Sequence, residues 1–200
     1  MGAAEKVATH EKDERIPPRA RLLAAAAELF YRHGIRAVGV EAIAEAAGTN
    51  KMTLYRHFPS KDELVAEYLR RLAEKAKADC LALETKYPGQ PRAQLAAWLR
   101  AVADHVGDVK ERGCALVNAA VELPESDHPA RRVIEEYKRA QRAWLIHVCE
   151  AAGLAEPDML ADELFLLIEG ARVTAQSLGR DGLDARLMRM GEAMIAAHES

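Results

Sequence analysis

Apolar residues recur every three or four positions along almost the whole chain, and no segment keeps the strict alternation of a half-buried strand. That period predicts an all-α fold. Leu22, Ala26, Leu29, Phe30 and His33 share one face of a first helix that Pro17 and Pro18 open and Gly34 ends. Val40, Ile43, Ala44 and Ala47 mark a very short second helix, stopped at Gly48, whose missing Cβ suits the left-handed conformation of a tight turn. Asn50 stands where it caps a third helix, Lys51 to His57. Ser60 and Glu63 have the spacing of a capping box, opening a long fourth helix with the stripe Leu64, Tyr68, Leu72 and Ala76 that ends near Tyr87.

The pattern continues to the C-terminus. Leu95, Trp98, Leu99 and Val102 mark a fifth helix, and Cys114 to Glu122 an apolar sixth. A loop from Pro124 to Pro129 precedes a long seventh, with Val133, Ile134, Tyr137, Trp144, Leu145 and Val148, that Gly153 ends. Pro157 opens an eighth containing Leu164, Phe165, Leu167, Ile168, Ala171, Ala175 and Leu178, and Gly179 and Gly182 separate it from a ninth with Leu187, Met190, Met194 and Ala197. Composition agrees with this reading. Half of the 200 residues are apolar, ample for a core, while aromatics make up only 5%.

No run of about eighteen apolar residues exists, and the start, MGAAEKVATHEKDERIPP, is charged where a signal peptide would be apolar. A soluble cytoplasmic protein with no membrane partner is expected, with residues 1–15 as a disordered polar tail. Cys80, Cys114 and Cys149 are odd in number and lack CxxC spacing, so buried thiols rather than a disulfide framework or zinc knuckle are expected.

Charge changes the picture in one place. Between Arg15 and Lys61 eight cations face three acids, a balance of +5; the whole chain carries -3, which leaves -8 elsewhere. A locally basic end on an acidic body is the footprint of a protein that grips phosphates with one module. The stretch GTNKMTLYRHFPSKDEL, Gly48 to Leu64, begins inside that segment and runs just past its end. A bracing helix, a glycine turn and a second short helix with exposed polar groups form a helix-turn-helix, whose second helix enters the DNA major groove. Ala44 permits close crossing, and Leu54 and Phe58 anchor the second helix while Lys51, Thr53, Tyr55, Arg56 and His57 stay accessible.

LFYRHGI, then VEAIAEAAG, then LYRHFPSKDEL with Tyr55, Phe58 and the Ser60-Lys61 helix start, together spanning roughly Arg19 to Leu69, resemble the tetracycline-repressor (TetR) family of bacterial transcription regulators. The resemblance implies a nine-helix subunit: a helix-turn-helix domain, here residues 16–62, and an effector-binding and dimerisation domain, here 63–200. It also implies a homodimer through the last two helices, double-stranded operator DNA as partner, and repression relieved by a small-molecule effector. Thr49 stands where the family usually has an aliphatic residue, and Asn50 where Ser or Thr is common; both fall where sequence preference is set. Within that frame Lys61, Tyr55 and His57 are expected on phosphates and Lys51 and Thr53 on base edges.

The expected dimer contact draws on Leu164 to Ile168, apolar nearly all round, and on Ala171 and Ala175, small enough for close helix approach. The expected effector site has Trp98, Cys114, Leu116, Val117, Trp144 and Phe165 as apolar lining, with Asn118, Glu122, His147 and Arg172 as polar groups that need partners. Two structural readings compete: Arg172 pairs with Glu169 three residues earlier, and Asn118 satisfies backbone. A redox-responsive regulator sensing through Cys114 is an alternative on the same scaffold. A helical enzyme, with Cys114 as nucleophile or His105, His128 and His147 as metal ligands, is weaker, since no HExxH, phosphate-binding glycine loop or GxSxG occurs. No cofactor, metal or catalytic residue is expected.

Overall fold

The computed structural model describes residues 16–199, so the expected disordered tail, residues 1–15, lies outside the described residues. Nine α-helices and no strand occur among them. The helices are α1 (Pro18–His33), α2 (Val40–Ala46), α3 (Lys51–His57), α4 (Lys61–Lys86), α5 (Pro91–Gly107), α6 (Ala115–Glu122), α7 (Pro129–Ala151), α8 (Pro157–Ser177) and α9 (Leu183–Ala197). They group into two compact units, residues 16–70 with Ala119–Arg131, and residues 71–118 with 132–199.

Short-range chemistry sets the element ends of the first unit. Pro18 opens α1, and Gly34, at φ 86°, ends it with its N–H on the Phe30 carbonyl. Gly48, at φ 61°, turns the chain after α2, and the Thr49 N–H returns to the Ala44 carbonyl at 2.9 Å. Asn50 Oδ1 accepts from the Thr53 N–H at 2.9 Å, capping α3 as its side-chain chemistry predicts. Ser60 Oγ accepts from the Glu63 N–H at 3.1 Å at the start of α4.

α1 packs on α2 and α3, and α2 on α3. Leu22, Ile43, Leu54, Leu64 and Leu69 are fully covered between them and the first turns of α4. Each such leucine stabilises the unit by roughly 1.5–3 kcal/mol relative to an exposed one. The Phe30 and Tyr68 rings lie 5.7 Å apart. His33 departs from the predicted apolar face and is exposed, while Leu23, not placed on that face, is buried.

The second unit is built from α5, α7, α8 and α9 with the later part of α4 and the start of α6. Its core holds Leu95, Leu99, Leu145, Leu160, Leu164, Ile168 and Leu187. α9 packs on both α5 and α8, and Gly191 makes the α5 approach possible, since a Cβ there would lie 2.6 Å from Leu99 Cδ2. Ala171 and Ala175, whose small size suggested close helix approach, face this same intrachain core. Among the described residues no helix is long and apolar enough to cross a membrane.

Candidate nucleic-acid interface and effector site

α3 displays its polar side chains from a single buried anchor. Leu54 is fully covered, whereas Lys51, Met52, Tyr55, Arg56 and His57 are exposed and Thr53 is half-buried. The backbone after the helix is held by Phe58, buried at 3%, with the Arg19 guanidinium 5.0 Å above its ring and bonded to Glu67 at 2.9 Å. Lys51 Nζ lies 2.6 Å from Glu41 Oε1 on α2 and 5.9 Å from the Tyr55 ring centre. The Glu41 hydrogen bond raises the Lys51 ammonium above its ordinary value and lowers the Glu41 carboxyl in return. Lys61, in the first turn of α4, is pulled below the ordinary lysine value by partial burial, against the pull of Asp62 and Glu122.

Sequence patterning missed two members of this surface. Met52 is 67% exposed on α3, although its side chain is apolar; its position two residues before the anchor Leu54 was the available sign. Glu41 reaches Lys51 across the turn, a contact between neighbouring helices that spacing along one helix does not show.

A further part of the first unit comes from far along the chain. Glu122 Oε2 accepts from the Arg36 N–H at 3.0 Å, the Glu122 carbonyl accepts from Arg36 Nε at 2.6 Å, and Arg36 Nη2 meets Glu125 Oε1 at 2.7 Å. A Cβ on Gly34 would lie 3.0 Å from Glu122 Oε2, so the loop after α1 and the end of α6 touch closely. Glu122 therefore belongs to the first unit, unlike the other nine residues expected around an effector.

Those nine belong to the second unit. Trp98 and Trp144 have ring centres 6.0 Å apart, and Trp144 Nε1 donates to Glu84 Oε1 at 2.8 Å. Cys114, Val117, Asn118 and Phe165 are half-buried. Asn118 Nδ2 donates to the Arg112 carbonyl at 2.9 Å, and Arg172 Nη1 meets Glu169 Oε1 at 2.7 Å. Both partnerships foreseen as structural readings are thus present. Glu84, at Trp144, and Lys138, over the Phe165 ring, touch these residues without having been expected to; the spacing Tyr137, Gln141, Trp144 along α7 signalled a shared face. His147 is exposed.

The groups considered for other chemistry are dispersed. His128 Nε2 faces Asp62 at 3.4 Å in the first unit, while His105 Nε2 faces Glu111 at 3.1 Å in the second. Among the described residues no cluster of His, Cys, Asp and Glu could hold a metal ion. Burial pushes the Cys80 and Cys149 thiols up to about 11, which keeps them protonated at neutral pH.

Comparison with known proteins bears on this arrangement. The sequence profile described as "Bacterial regulatory proteins, tetR family" matches residues 22–68. A TetR transcriptional regulator of Streptomyces avermitilis is 32% identical, with 92% of this chain and 98% of that one superposed at a TM-score of 0.79. A TetR-family regulator of Streptomyces coelicolor superposes at a TM-score of 0.86 with 27% identity, over 92% of this chain and 96% of that one. The transcriptional repressor KstR2 of Mycobacterium tuberculosis is 27% identical over 82% of this chain and 88% of its own length. The transcriptional activator FasR of Mycolicibacterium smegmatis is 47% identical over 60 residues, 30% of this chain and 26% of that protein. With nine helices among the described residues, an N-terminal helix-turn-helix and a relative of this similarity over nearly its whole length, the chain is a transcriptional regulator rather than an enzyme, and it belongs to the TetR family, whose members bind operator DNA as dimers.

Proposed function

We propose that the chain is a repressor that leaves a palindromic operator when a small-molecule effector binds its second unit. The observation that carries this reading is α3, whose cations, hydroxyls and Met52 stand outward from the fully buried Leu54. Lys51 and Thr53 read base edges near the start of that helix, with Met52 against a thymine methyl; Thr49 and Asn50 border the groove. Tyr55, Arg56, His57 and Lys61 hold phosphates, Lys61 together with the N–H groups opening α4. Glu41 orders Lys51 before DNA arrives and gives it up to the groove.

Dimerisation through α8 and α9 is supported by an apolar stripe with a period of seven on α8. Met159, Leu166 and Val173 are 54%, 73% and 59% exposed in the single chain, and Met190 on α9 is 46% exposed. Two copies place two recognition helices roughly 34–36 Å apart, or a multiple of it, to match symmetric half-sites. Trp98, Cys114, Val117, Asn118, Trp144, Phe165 and Arg172 supply the effector site. An effector releases DNA only by binding better to the conformation in which the two recognition helices are mis-spaced.

Selection of bound duplexes from a random library at near-physiological salt tests the DNA reading, with a two-fold symmetric consensus expected. Sequence-independent, salt-sensitive binding alone would remove the operator. Screening small molecules for release of that consensus tests the effector, and a reporter fused to the operator tests the sign of regulation.

A further inference from the structure

Three charged side chains meet inside the second unit. Glu169 Oε1 on α8 receives both Lys138 Nζ of α7, at 2.9 Å, and Arg172 Nη1, at 2.7 Å. The three side chains are 19%, 23% and 13% exposed for Lys138, Glu169 and Arg172, covered enough to be poorly screened. Two cations on one carboxylate leave a surplus of one positive charge. The surplus belongs to this trio; Glu84, which accepts from Trp144 Nε1, is a separate carboxylate on α4, and burial holds the Tyr137 hydroxyl and the Cys80 thiol in their neutral forms.

The donors are also incompletely used. Arg172 Nε is buried without a protein partner, as is the acceptor Gln141 Oε1 one turn along α7 from Tyr137. A buried polar atom left in that condition costs about 1–3 kcal/mol, which a bonded ligand would recover. The Lys138 ammonium lies 5.0 Å from the Phe165 ring centre and 5.6 Å from that of Tyr137, so aromatic faces flank the cationic end. From Lys138 to Trp144, α7 rises about 9 Å, the length of a two-ring aromatic body.

We infer that the effector is a monocarboxylate, its acid group on Lys138 Nζ and Arg172 Nε and its apolar body lying along Phe165 toward Trp144. One surplus positive charge balances one carboxylate; a phosphate dianion would overshoot it. The inference rests on the second unit being the effector site and adds the chemical class of the ligand.

Trp98 and Trp144 are the only tryptophans of the chain, so their emission reports this site directly in the full-length protein. The probes are 2-naphthoate and decanoate, each beside its neutral amide. Each acid is expected to change the emission at a concentration about tenfold or more below its amide, the effect of one charge-assisted contact. Arg172→Gln and Lys138→Gln should each erase that preference of acid over amide. Glu169→Gln, which raises the surplus charge, should tighten acid binding severalfold, a gain that a purely structural ion pair would not produce. Equal binding of acid and amide, or no response to either acid, overturns the carboxylate assignment. Equal binding leaves the effector reading standing, and that reading falls separately if no compound, charged or neutral, releases the selected operator.

Discussion

The two compact units use charge in opposite ways. In the first, Lys51, Arg56 and His57 stand exposed on a helix of seven residues, and even the 2.6 Å pair of Lys51 with Glu41 sits in solvent. In the second, Lys138, Glu169 and Arg172 are largely covered between α7 and α8. Exposed charge acts at long range, is screened by salt and gives way readily to a polyanion. Covered charge is short-ranged, costly to leave unpaired and selective for a partner of fitting shape. The two units thus place different demands on the same residue types.

The largest expected effect separates the two units. Leu54→Ala empties a fully covered position and should cost roughly 2–5 kcal/mol, abolishing operator binding. Tryptophan emission should persist, because Trp98 and Trp144 belong to the second unit; joint loss of both signals in a denaturant titration would show one cooperative body instead. The converse change is Gly191→Ala, which drives a methyl group to 2.6 Å from Leu99 Cδ2. About 1–3 kcal/mol of overpacking is expected, seen as an earlier tryptophan transition, and an unshifted midpoint would mean that α5 and α9 separate at little cost.

Glu122→Ala asks how strongly the end of α6 holds the first unit. It removes the acceptor of the Arg36 N–H, and a loss of about 1 kcal/mol in thermal unfolding of that unit is expected. Unchanged stability would reduce the contact to a surface pairing. Lys61→Ala should leave the fold intact and weaken all duplexes alike, lowering the slope of log affinity against log salt by about one. Loss confined to one operator sequence would instead make Lys61 a base reader.

The smallest effect is a pH dependence. Hydrogen bonds from Arg19 and then Arg70 hold the Glu67 carboxyl below its ordinary value. A depressed carboxyl contributes stability that is complete above the ordinary carboxylate range and is lost as pH falls through the lower folded value. Glu67→Gln should therefore flatten the acid limb of the first unit's melting-temperature profile and leave the neutral region alone. An acid limb of unchanged steepness in the variant would assign that limb to other groups.

Much of the first unit was legible because its determinants are local. The Asn50 cap, the Gly48 turn and the Ser60 start each depend on groups within a few positions of one another, so spacing alone finds them. The anchors Leu54 and Phe58 followed from periodicity and are buried as expected. Periodicity failed where an element has more than one covered side. Leu164 to Ile168 reads as apolar all round, yet Leu164 and Ile168 enter the core while Leu166 faces outward. Met52 and Glu41 escaped because exposure and cross-helix reach are properties of packed neighbours.

By itself, then, the sequence determined the nine helices of the described residues, their caps and breaks, the basic N-terminal segment and the helix-turn-helix, all through interactions within a turn or two of backbone. Tertiary structure alone decided which distant groups meet. Glu122 reaches Arg36 across 86 positions, and Lys138 reaches Glu169 across 31. Such pairings depend on the crossing and rotation of packed helices, where a displacement of a few ångströms exchanges one partner for another, and no periodicity along a single helix carries that information.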